Sequence, residues 1–239
     1  MAYDDFYELE NVFDQKTIDW FFEVYKKLDH GDDAKALRAE SPGRKNFLHY
    51  IDENVFPELY KEMADTVTDV LPFVRSDYEI DSIQFYHIEN PYALHSDGLG
   101  KDNVFFQLII PLKVVPDTST YTIVYEQKTD IRTEWISKAF DKPEDYEPFY
   151  NLPIYDPSHF EGWEDRQRIS EEDGKKYWGE AWDKVYREAY HGFSIKHVYE
   201  WKVGGLFSFD SRFTHSATEF KHKGIQYKEG ILFLLKKAR

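Results

Sequence analysis

The chain of 239 residues contains no cysteine, and this absence removes several kinds of chemistry. Disulfide bonds, thiolate metal ligands and cysteine nucleophiles are all excluded, so a tightly bound metal must be held by histidine and carboxylate side chains. Long apolar runs are also absent, since none approaches the roughly 20 residues that span a membrane as a helix. The acidic first residues, MAYDD, lack the basic and apolar regions of a signal peptide. We therefore expect no membrane partner and a cytoplasmic location.

Basic residues are in deficit, with 30 Lys and Arg against 45 Asp and Glu, which gives a formal net charge of −15. Nucleic-acid binding needs clustered Lys and Arg, so a nucleic-acid partner is not expected. Aromatic residues make up 18% of the chain, which is compatible with a core rich in Phe and Tyr and with an aromatic-lined cleft. A chain of this length is most simply one domain that buries about 70% of its unfolded surface. Its sequence does not specify an oligomeric state.

Residues 1–77 carry helical signals. Asp14 is a favourable helix N-cap, and the residues that follow it place apolar side chains on one helical face. A second helix is predicted from about residue 57, where apolar residues recur every four positions. The polar segment 29–46 between the two helices is predicted to be a loop.

From about residue 78 the pattern changes to short apolar runs of strand length. The run 104–115 is almost continuously apolar, as expected of a strand that is buried on both faces. About eight such runs, separated by Gly and Pro, predict a mainly β fold of the jelly-roll type with flanking helices. The predicted strands are 80–88, 104–115, 121–125, 198–203, 206–209, 214–218 and 230–235.

The strands fall into two groups, 78–127 and 198–239, which form the predicted jelly-roll core. Residues 128–197 between them are charged, punctuated by Pro and rich in Trp, and are predicted to be an insertion. The second half of the insertion has a helix signal, because Ser170 and Asp173 have the spacing of a capping box. Long excursions of this kind are often lids or binding elements. The alternative is a helical layer that covers a face of the sheet.

The most informative segment is His95-Ser96-Asp97, with His215 far downstream. On a strand, residues i and i+2 point to the same face, so His95 and Asp97 are expected to reach one metal ion. His215 would then come from a facing strand. Two histidines and one carboxylate form the facial triad of non-haem Fe(II) oxygenases, which leaves metal positions open. An isolated His-x-Asp is weak evidence, since most such histidines are surface or core residues without a metal.

The residues around these candidates strengthen the interpretation. Tyr86 lies nine residues before His95, and Tyr92 lies three residues before it. Downstream, a Gly-Leu-Phe-Ser-Phe run at 205–209 precedes His215, and an apolar strand pattern follows that histidine. In this order the segments resemble the 2-oxoglutarate/Fe(II) oxygenases, and most closely the prolyl-4-hydroxylase-like branch. The resemblance implies a double-stranded β-helix, which is a cupin-like jelly roll, and it does not cover the insertion in detail.

The resemblance also implies roles for single residues. His95, Asp97 and His215 would hold Fe(II), and Tyr86 would hydrogen-bond the co-substrate 2-oxoglutarate. A basic residue at the start of the last strand would pair with the distal carboxylate of 2-oxoglutarate, and Lys228 stands at this place. The family usually has this residue closer to the second histidine, so other basic residues compete for the role. These rivals are Lys221, Lys223 and Arg212.

The expected function is a 2-oxoglutarate- and Fe(II)-dependent dioxygenase that hydroxylates a C–H bond of an unidentified substrate, consumes O₂ and releases succinate and CO₂. The resemblance admits ascorbate as a further reductant, and the substrate is a small molecule, a peptide or a protein. Two alternatives stay open, namely a different cupin-type metalloenzyme that does not use 2-oxoglutarate and a non-catalytic jelly-roll binding module. The insertion is expected to border the substrate entrance without supplying a metal ligand. Its histidines would then be structural or surface residues, namely His159, His191 and His197.

Overall fold

The computed structural model describes residues 3–30, 38–40, 46–89, 94–97, 104–129, 157–218 and 220–238. Among these residues the strands are β1 (Phe6–Leu9), β2 (Arg38–Glu40), β3 (Asn46–Tyr50), β4 (Tyr78–Ile88), β5 (Val104–Val115), β6 (Tyr121–Lys128), β7 (Ile195–Glu200), β8 (Leu206–Asp210), β9 (Phe213–Ala217) and β10 (Tyr227–Lys237). The helices are α1 (Gln15–His30), α2 (Pro57–Thr68), α3 (Glu171–Trp178), α4 (Arg187–Ala189) and α5 (Phe220–Lys223), and a π-helical turn, Trp182–Tyr186, precedes α4. No helix in this part of the chain is long and apolar enough to cross a membrane.

The strands form two antiparallel sheets. The larger sheet has seven strands in the order β1-β8-β5-β10-β4-β3-β2, and the smaller sheet has three in the order β7-β6-β9. Strand β10 is central in the larger sheet, where Ile231 pairs with Phe85 of β4 on one side and with Ile110 of β5 on the other. A central strand is covered on both faces and therefore needs an almost continuous apolar run. The buried strand predicted at 104–115 is confirmed, since β5 has these bounds.

One face of the larger sheet packs against helices α1 and α2. Phe233 of β10 points to this side and joins Phe21 of α1 and Met63 of α2 in one apolar core. The cap predicted for α1 is confirmed, because Asp14 Oδ1 accepts a hydrogen bond from the backbone N–H of Thr17 (2.8 Å). The helices occupy this face and leave the opposite face to the smaller sheet.

The opposite face of the larger sheet packs against the smaller sheet. The core between the two sheets combines Ile109 and Phe207 of the larger sheet with Val124 and Phe213 of the smaller one. His95 lies outside the named strands and forms an isolated antiparallel bridge with β9, so it stands where a fourth strand would extend the smaller sheet. Two antiparallel sheets packed face to face confirm the predicted mainly β jelly roll.

The described half of the predicted insertion covers the outer face of the smaller sheet. Trp178 is fully buried there, in one apolar cluster with Tyr125 of β6. The cap predicted for α3 is confirmed, because the hydroxyl of Ser170 accepts a hydrogen bond from the backbone N–H of Asp173 (3.0 Å). This layer fits the alternative of a helical cover. Residues 130–156 lie outside the described residues, and a role of the insertion at the substrate entrance stays a prediction.

The N-terminal region contains more than the two predicted helices. The segment 29–46, predicted to be a loop, includes β2 and the first residue of β3, and β1 precedes α1. These three strands join the larger sheet but are only three to five residues long. They are too short to show a period, and pairing with their neighbours holds them extended. Strand β7 begins at Ile195, inside the predicted insertion. That the whole chain is one domain stays a prediction.

Candidate metal centre

The two predicted histidine ligands are joined through their backbones. The N–H of His95 donates to the carbonyl oxygen of His215 (2.9 Å), and the N–H of His215 donates to the carbonyl oxygen of His95 (2.7 Å). The centroids of the two imidazole rings lie 4.1 Å apart. The bridge thus brings together two histidines that are distant in the sequence.

The prediction that His95 and Asp97 share one face of a regular strand is wrong. His95 is an isolated bridge residue, and Asp97 lies outside the strands. The ligand atoms converge nevertheless, since one atom each from His95, Asp97 and His215 lies within 4.8 Å of the other two. In the part of the chain that the structure describes, this is the one group of three or more such side chains close enough to share a metal.

His215 is oriented to offer its Nε2 atom. The residue is only 4% exposed, and its Nδ1–H donates to the carbonyl oxygen of Phe213 (3.3 Å), so the lone pair of the ring is on Nε2. This Nε2 lies 3.4 Å from Asp97 Oδ2. Two ligands that are each about 2.1 Å from one ion are separated by roughly 3–3.5 Å. The donor set and its spacing therefore fit a divalent metal such as Fe(II).

Lys228, predicted to bind the co-substrate, is buried between the sheets. The residue is 2% exposed, and its ammonium lies 3.8 Å from the ring centroid of Trp201. Among the described residues no carboxylate or hydrogen-bond acceptor pairs with it. Burial lowers the pKa of Lys228 to about 7. Burying an unpaired ammonium is costly, and an anionic ligand beside it would offset that cost.

Tyr86 lies beside this lysine. Its ring packs edge-on against Trp201, with 5.9 Å between centroids, and this is the same indole that Lys228 faces. Gly230 of β10 pairs with Tyr86 of β4, and a Cβ atom on this glycine would lie 2.6 Å from the tyrosine hydroxyl oxygen. Only glycine leaves room for the hydroxyl at this point. The structure therefore brings the two predicted co-substrate residues together around one indole.

The rival basic residues have other environments. Arg212 forms an ion pair with Asp210 (2.6 Å). Lys223 is partly exposed, and its ammonium lies 5.6 Å from the ring centroid of Tyr121. The side chain of Lys221 lies outside the described residues, and so does Tyr92, the second tyrosine of the resemblance. Among the candidates whose side chains are described, Lys228 is the one buried between the sheets.

Sequence reasoning missed two residues of this layer, Gln107 and Trp201. The amide nitrogen of Gln107 lies 3.3 Å from His215 Nε2, and the indole N–H of Trp201 donates to Thr122 Oγ1 (2.9 Å). Gln107 is a polar residue in the middle of the apolar run of β5, and this signal was available to single it out. Trp201 has no comparable signal, because tryptophans are common in this chain and most of them pack in the core.

The three histidines of the predicted insertion have separate surroundings. His191 Nε2 lies 3.0 Å from Asp165 Oδ1, and the ring of His197 stacks on Phe6 with 5.4 Å between centroids. His159 ends a short 3₁₀ turn and is exposed. Their assignment as structural or surface residues stays a prediction.

Comparisons with known proteins show a likeness of fold. No protein-family model matches the chain, and no curated protein matches it. Two of the solved structures that resemble it, each aligned over nearly the whole chain, have a TM-score above 0.5. The non-haem α-ketoglutarate-dependent epimerase SnoN from nogalamycin biosynthesis has 12% identity and a TM-score of 0.51, over 97% of this chain and 78% of that one. EctD from S. alaskensis has 12% identity and a TM-score of 0.52, over 98% of this chain and 73% of that one.

This chain is a double-stranded β-helix. The alignment with SnoN spans both sheets, and the jelly-roll topology was already evident from the strand order. At 12% identity the likeness shows the fold alone. The activity has to be argued from the residues of the site.

Proposed function

We propose that this protein is an Fe(II)- and 2-oxoglutarate-dependent dioxygenase that hydroxylates a C–H bond of its substrate. One observation carries the proposal. The layer between the two sheets holds both a His-Asp-His group with converging ligand atoms and a buried ammonium that has no counter-ion among the described residues. The first feature suits a metal with open positions, and the second suits a dicarboxylate co-substrate. Either feature alone would fit several other functions.

His95, Asp97 and His215 would hold the iron. The hydrogen bond from His215 Nδ1–H to the carbonyl oxygen of Phe213 occupies that ring nitrogen, so Nε2 is the atom that would bind the metal. When bound, iron would activate O₂, which is the oxidant of both the substrate C–H bond and 2-oxoglutarate, the latter being oxidised to succinate and CO₂. The chain itself supplies the ligand geometry and the surroundings of the metal.

Lys228 and Tyr86 would hold the far end of 2-oxoglutarate. With a pKa of about 7 in the absence of a ligand, Lys228 is only partly protonated at neutral pH. A carboxylate beside it favours the charged form, so binding of the dicarboxylate would be accompanied by uptake of a proton. The Tyr86 hydroxyl can donate a second hydrogen bond to the same carboxylate. Trp201 faces the ammonium and shields the pair from water.

The walls of this layer are mostly apolar. Phe207, Phe209 and Tyr199 pack together between the sheets, and Phe209 lies against the ring of His215 with 5.1 Å between centroids. Such walls exclude water, which strengthens the charge pairs within the site and protects the reaction from solvent. The primary substrate of the proposed reaction is a small molecule, a peptide or a protein. The cytoplasmic location stays a prediction.

The two alternatives account for less of the site. A cupin-type metalloenzyme that does not use 2-oxoglutarate leaves the buried ammonium of Lys228 without a role. A non-catalytic binding module leaves the convergence of His95, Asp97 and His215 without a role. The dioxygenase uses both groups.

The test is a titration of the full chain in the absence of O₂, first with Mn(II) as a redox-inert probe of the metal site and then with 2-oxoglutarate. We expect about one Mn(II) per chain, 2-oxoglutarate binding that requires the metal, and loss of Mn(II) binding in His215→Ala. Lys228→Met should keep Mn(II) and weaken 2-oxoglutarate binding roughly ten- to a hundred-fold, because it removes a charge-assisted hydrogen bond worth about 1.5–3 kcal/mol.

Lys223→Met is the matched control, because this lysine is partly exposed and should not affect either affinity. A wild-type chain that binds no metal would contradict the proposal. If 2-oxoglutarate binding falls in Arg212→Met and is unchanged in Lys228→Met, the co-substrate residue is wrongly assigned. Succinate release across a panel of small molecules and peptides would then identify the substrate.

A further inference from the structure

Gln107 is a buried amide whose oxygen has no partner among the residues that the structure describes. The residue lies on β5 and is 0% exposed. It faces the smaller sheet, since its cross-strand neighbour Phe209 belongs to the core between the sheets. Its Nε2 lies 3.3 Å from His215 Nε2. Its Oε1 is buried and has no hydrogen-bond donor among the described residues.

Gln127 is a second buried glutamine, and both polar atoms of its amide have partners within the protein. It is also 0% exposed, but its Nε2 donates to the carbonyl oxygen of Gly162 (2.9 Å) and its Oε1 accepts from the backbone N–H of Ser194 (3.0 Å). A buried polar atom without a partner is destabilising, and most buried polar atoms in native proteins have one. Because Gln107 also lies beside the candidate metal ligand His215, the contrast points to a ligand as the missing donor for its Oε1.

Metal binding would increase this imbalance. A metal at the centre would take the lone pair of His215 Nε2, so the amide nitrogen of Gln107 would lose its acceptor. A metal bound there would lie about 2 Å from that Nε2, which would place the amide at the edge of the ligand shell. A carboxylate co-substrate offers only acceptors and cannot satisfy Oε1. A water on the metal offers O–H donors, and the positive ion makes it a stronger donor.

We propose that Gln107 is a positioning residue that holds a water molecule on the metal by accepting its hydrogen bond through Oε1. The inference rests on the proposed function, because it needs a metal at the triad. A water held in this way covers an open metal position until another ligand displaces it. Loss of the amide should therefore change the occupancy of that position and leave the three protein ligands in place.

The experiment measures the relaxation of solvent protons by Mn(II) in the complex of the full chain with Mn(II) and 2-oxoglutarate, which reports water bound directly to the metal. The wild-type complex should show this contribution, and Gln107→Leu should lose at least half of it. The affinities for Mn(II) and 2-oxoglutarate should change by less than about threefold, since holding one ordered water contributes little free energy. Gln107→Met, which keeps the length of the side chain, serves as a second variant in case the leucine disturbs packing.

Gln84→Leu is the matched control. This buried glutamine lies on β4, and its Nε2 donates to Ser82 Oγ (2.9 Å), so its loss should leave the relaxation unchanged. In the metal-free protein, Gln107→Leu should keep or raise the unfolding temperature, because it removes an unpartnered polar atom. Gln127→Leu should lower this temperature by roughly 3–8 °C, since it removes the acceptor of the partly buried Ser194 N–H and one of two donors to the carbonyl oxygen of Gly162.

Each outcome decides a different point. Equal relaxation in the wild type and both Gln107 variants overturns the water assignment and leaves the proposed function standing. A Gln107→Leu chain that is destabilised as much as Gln127→Leu shows a structural role and also overturns it. A wild-type chain that binds no Mn(II) overturns the proposed function, and this inference with it.

Discussion

The two faces of the larger sheet are built from the same strands but differ in what they bury. Two β10 residues that point toward the helices, Ile231 and Phe233, are apolar and fully buried. The residues that point toward the smaller sheet include Lys228 and Gly230, and β5 adds Gln107 on the same side. Apolar side chains predominate on the helix-covered face, whereas the inner face keeps the buried ammonium of Lys228 and the buried amide oxygen of Gln107, for which the described residues offer no partner. Because successive side chains of a strand point to opposite faces, one face of the sheet can stabilise the fold while the other carries the candidate site.

The helix-covered face should show the largest effect on stability. Phe233→Ala removes a fully buried ring from the core that joins β10 to α1 and α2. We expect it to lower the free energy of unfolding by about 3–5 kcal/mol, the usual cost of such a cavity. Urea unfolding monitored by circular dichroism measures the change. Leu232→Ala is the control on the inner face, where this leucine is only partly buried, and equal losses in the two variants would remove the distinction between the faces.

Lys228, on the inner face of the larger sheet, should make the free energy of unfolding depend on pH. The pKa of this group is about 7 in the folded chain and roughly 10.4 in the unfolded chain. Between these values the unfolded state binds more protons, so the contribution of Lys228 makes the folded state more stable as pH rises. Below about pH 7 both states are protonated and this contribution no longer varies.

The measurement is the difference in free energy of unfolding between the wild type and Lys228→Met in the absence of metal. This difference should shift in favour of the wild type by up to about 2 kcal/mol between pH 7 and pH 8.5. A difference that does not change with pH would show that the ammonium is paired or solvated in the folded chain.

On the other face of strands β4 and β10, the pair His87–Glu229 should also make the free energy of unfolding depend on pH. This dependence should be smaller than that of Lys228 and opposite in sign. His87 Nδ1 lies 2.9 Å from Glu229 Oε1, and this hydrogen bond to a carboxylate raises the pKa of His87. The stabilisation is therefore complete below the unfolded pKa, near 6.5, and is lost as pH rises through the raised folded pKa. We expect His87→Gln to lose about 1 kcal/mol at pH 5.5 and little at pH 9. Equal losses at both values would attribute the effect to packing.

Several elements of the fold could be predicted because their signals are local. The strand at 104–115 is a long apolar run, and the caps at Asp14 and Ser170 place a hydrogen-bonding side chain directly before a helix. Strands β1 and β3 had no such signal. They are four and five residues long. Strand β1 pairs with β8, and β3 pairs with β2 and β4, so only the three-dimensional pairing shows them to be strands.

Part of the candidate site could be predicted from the sequence, and part of it could not. The spacing of His95, Asp97 and Tyr86 carries the resemblance, and these residues meet His215 and Lys228 in one layer of the structure. The sequence did not reveal Gln107 and Trp201 as partners, because their placement depends on the register of β5 and on the position of residue 201 just after β7. The prediction that His95 and Asp97 lie on a regular strand was also wrong, since His95 forms only a single bridge to β9.

The backbone bridge between His95 and His215 should make hydrogen exchange at these two amides depend on whether a metal is bound. Each of these residues donates its backbone N–H to the other, and each would also bind the same ion through its ring. Once the ion is in place, the two amides cannot separate to exchange with solvent unless a metal bond breaks as well. Metal binding should therefore slow hydrogen exchange at these two amides more than at neighbouring strand positions. Two backbone signals then report whether the centre is filled, without any assay of turnover.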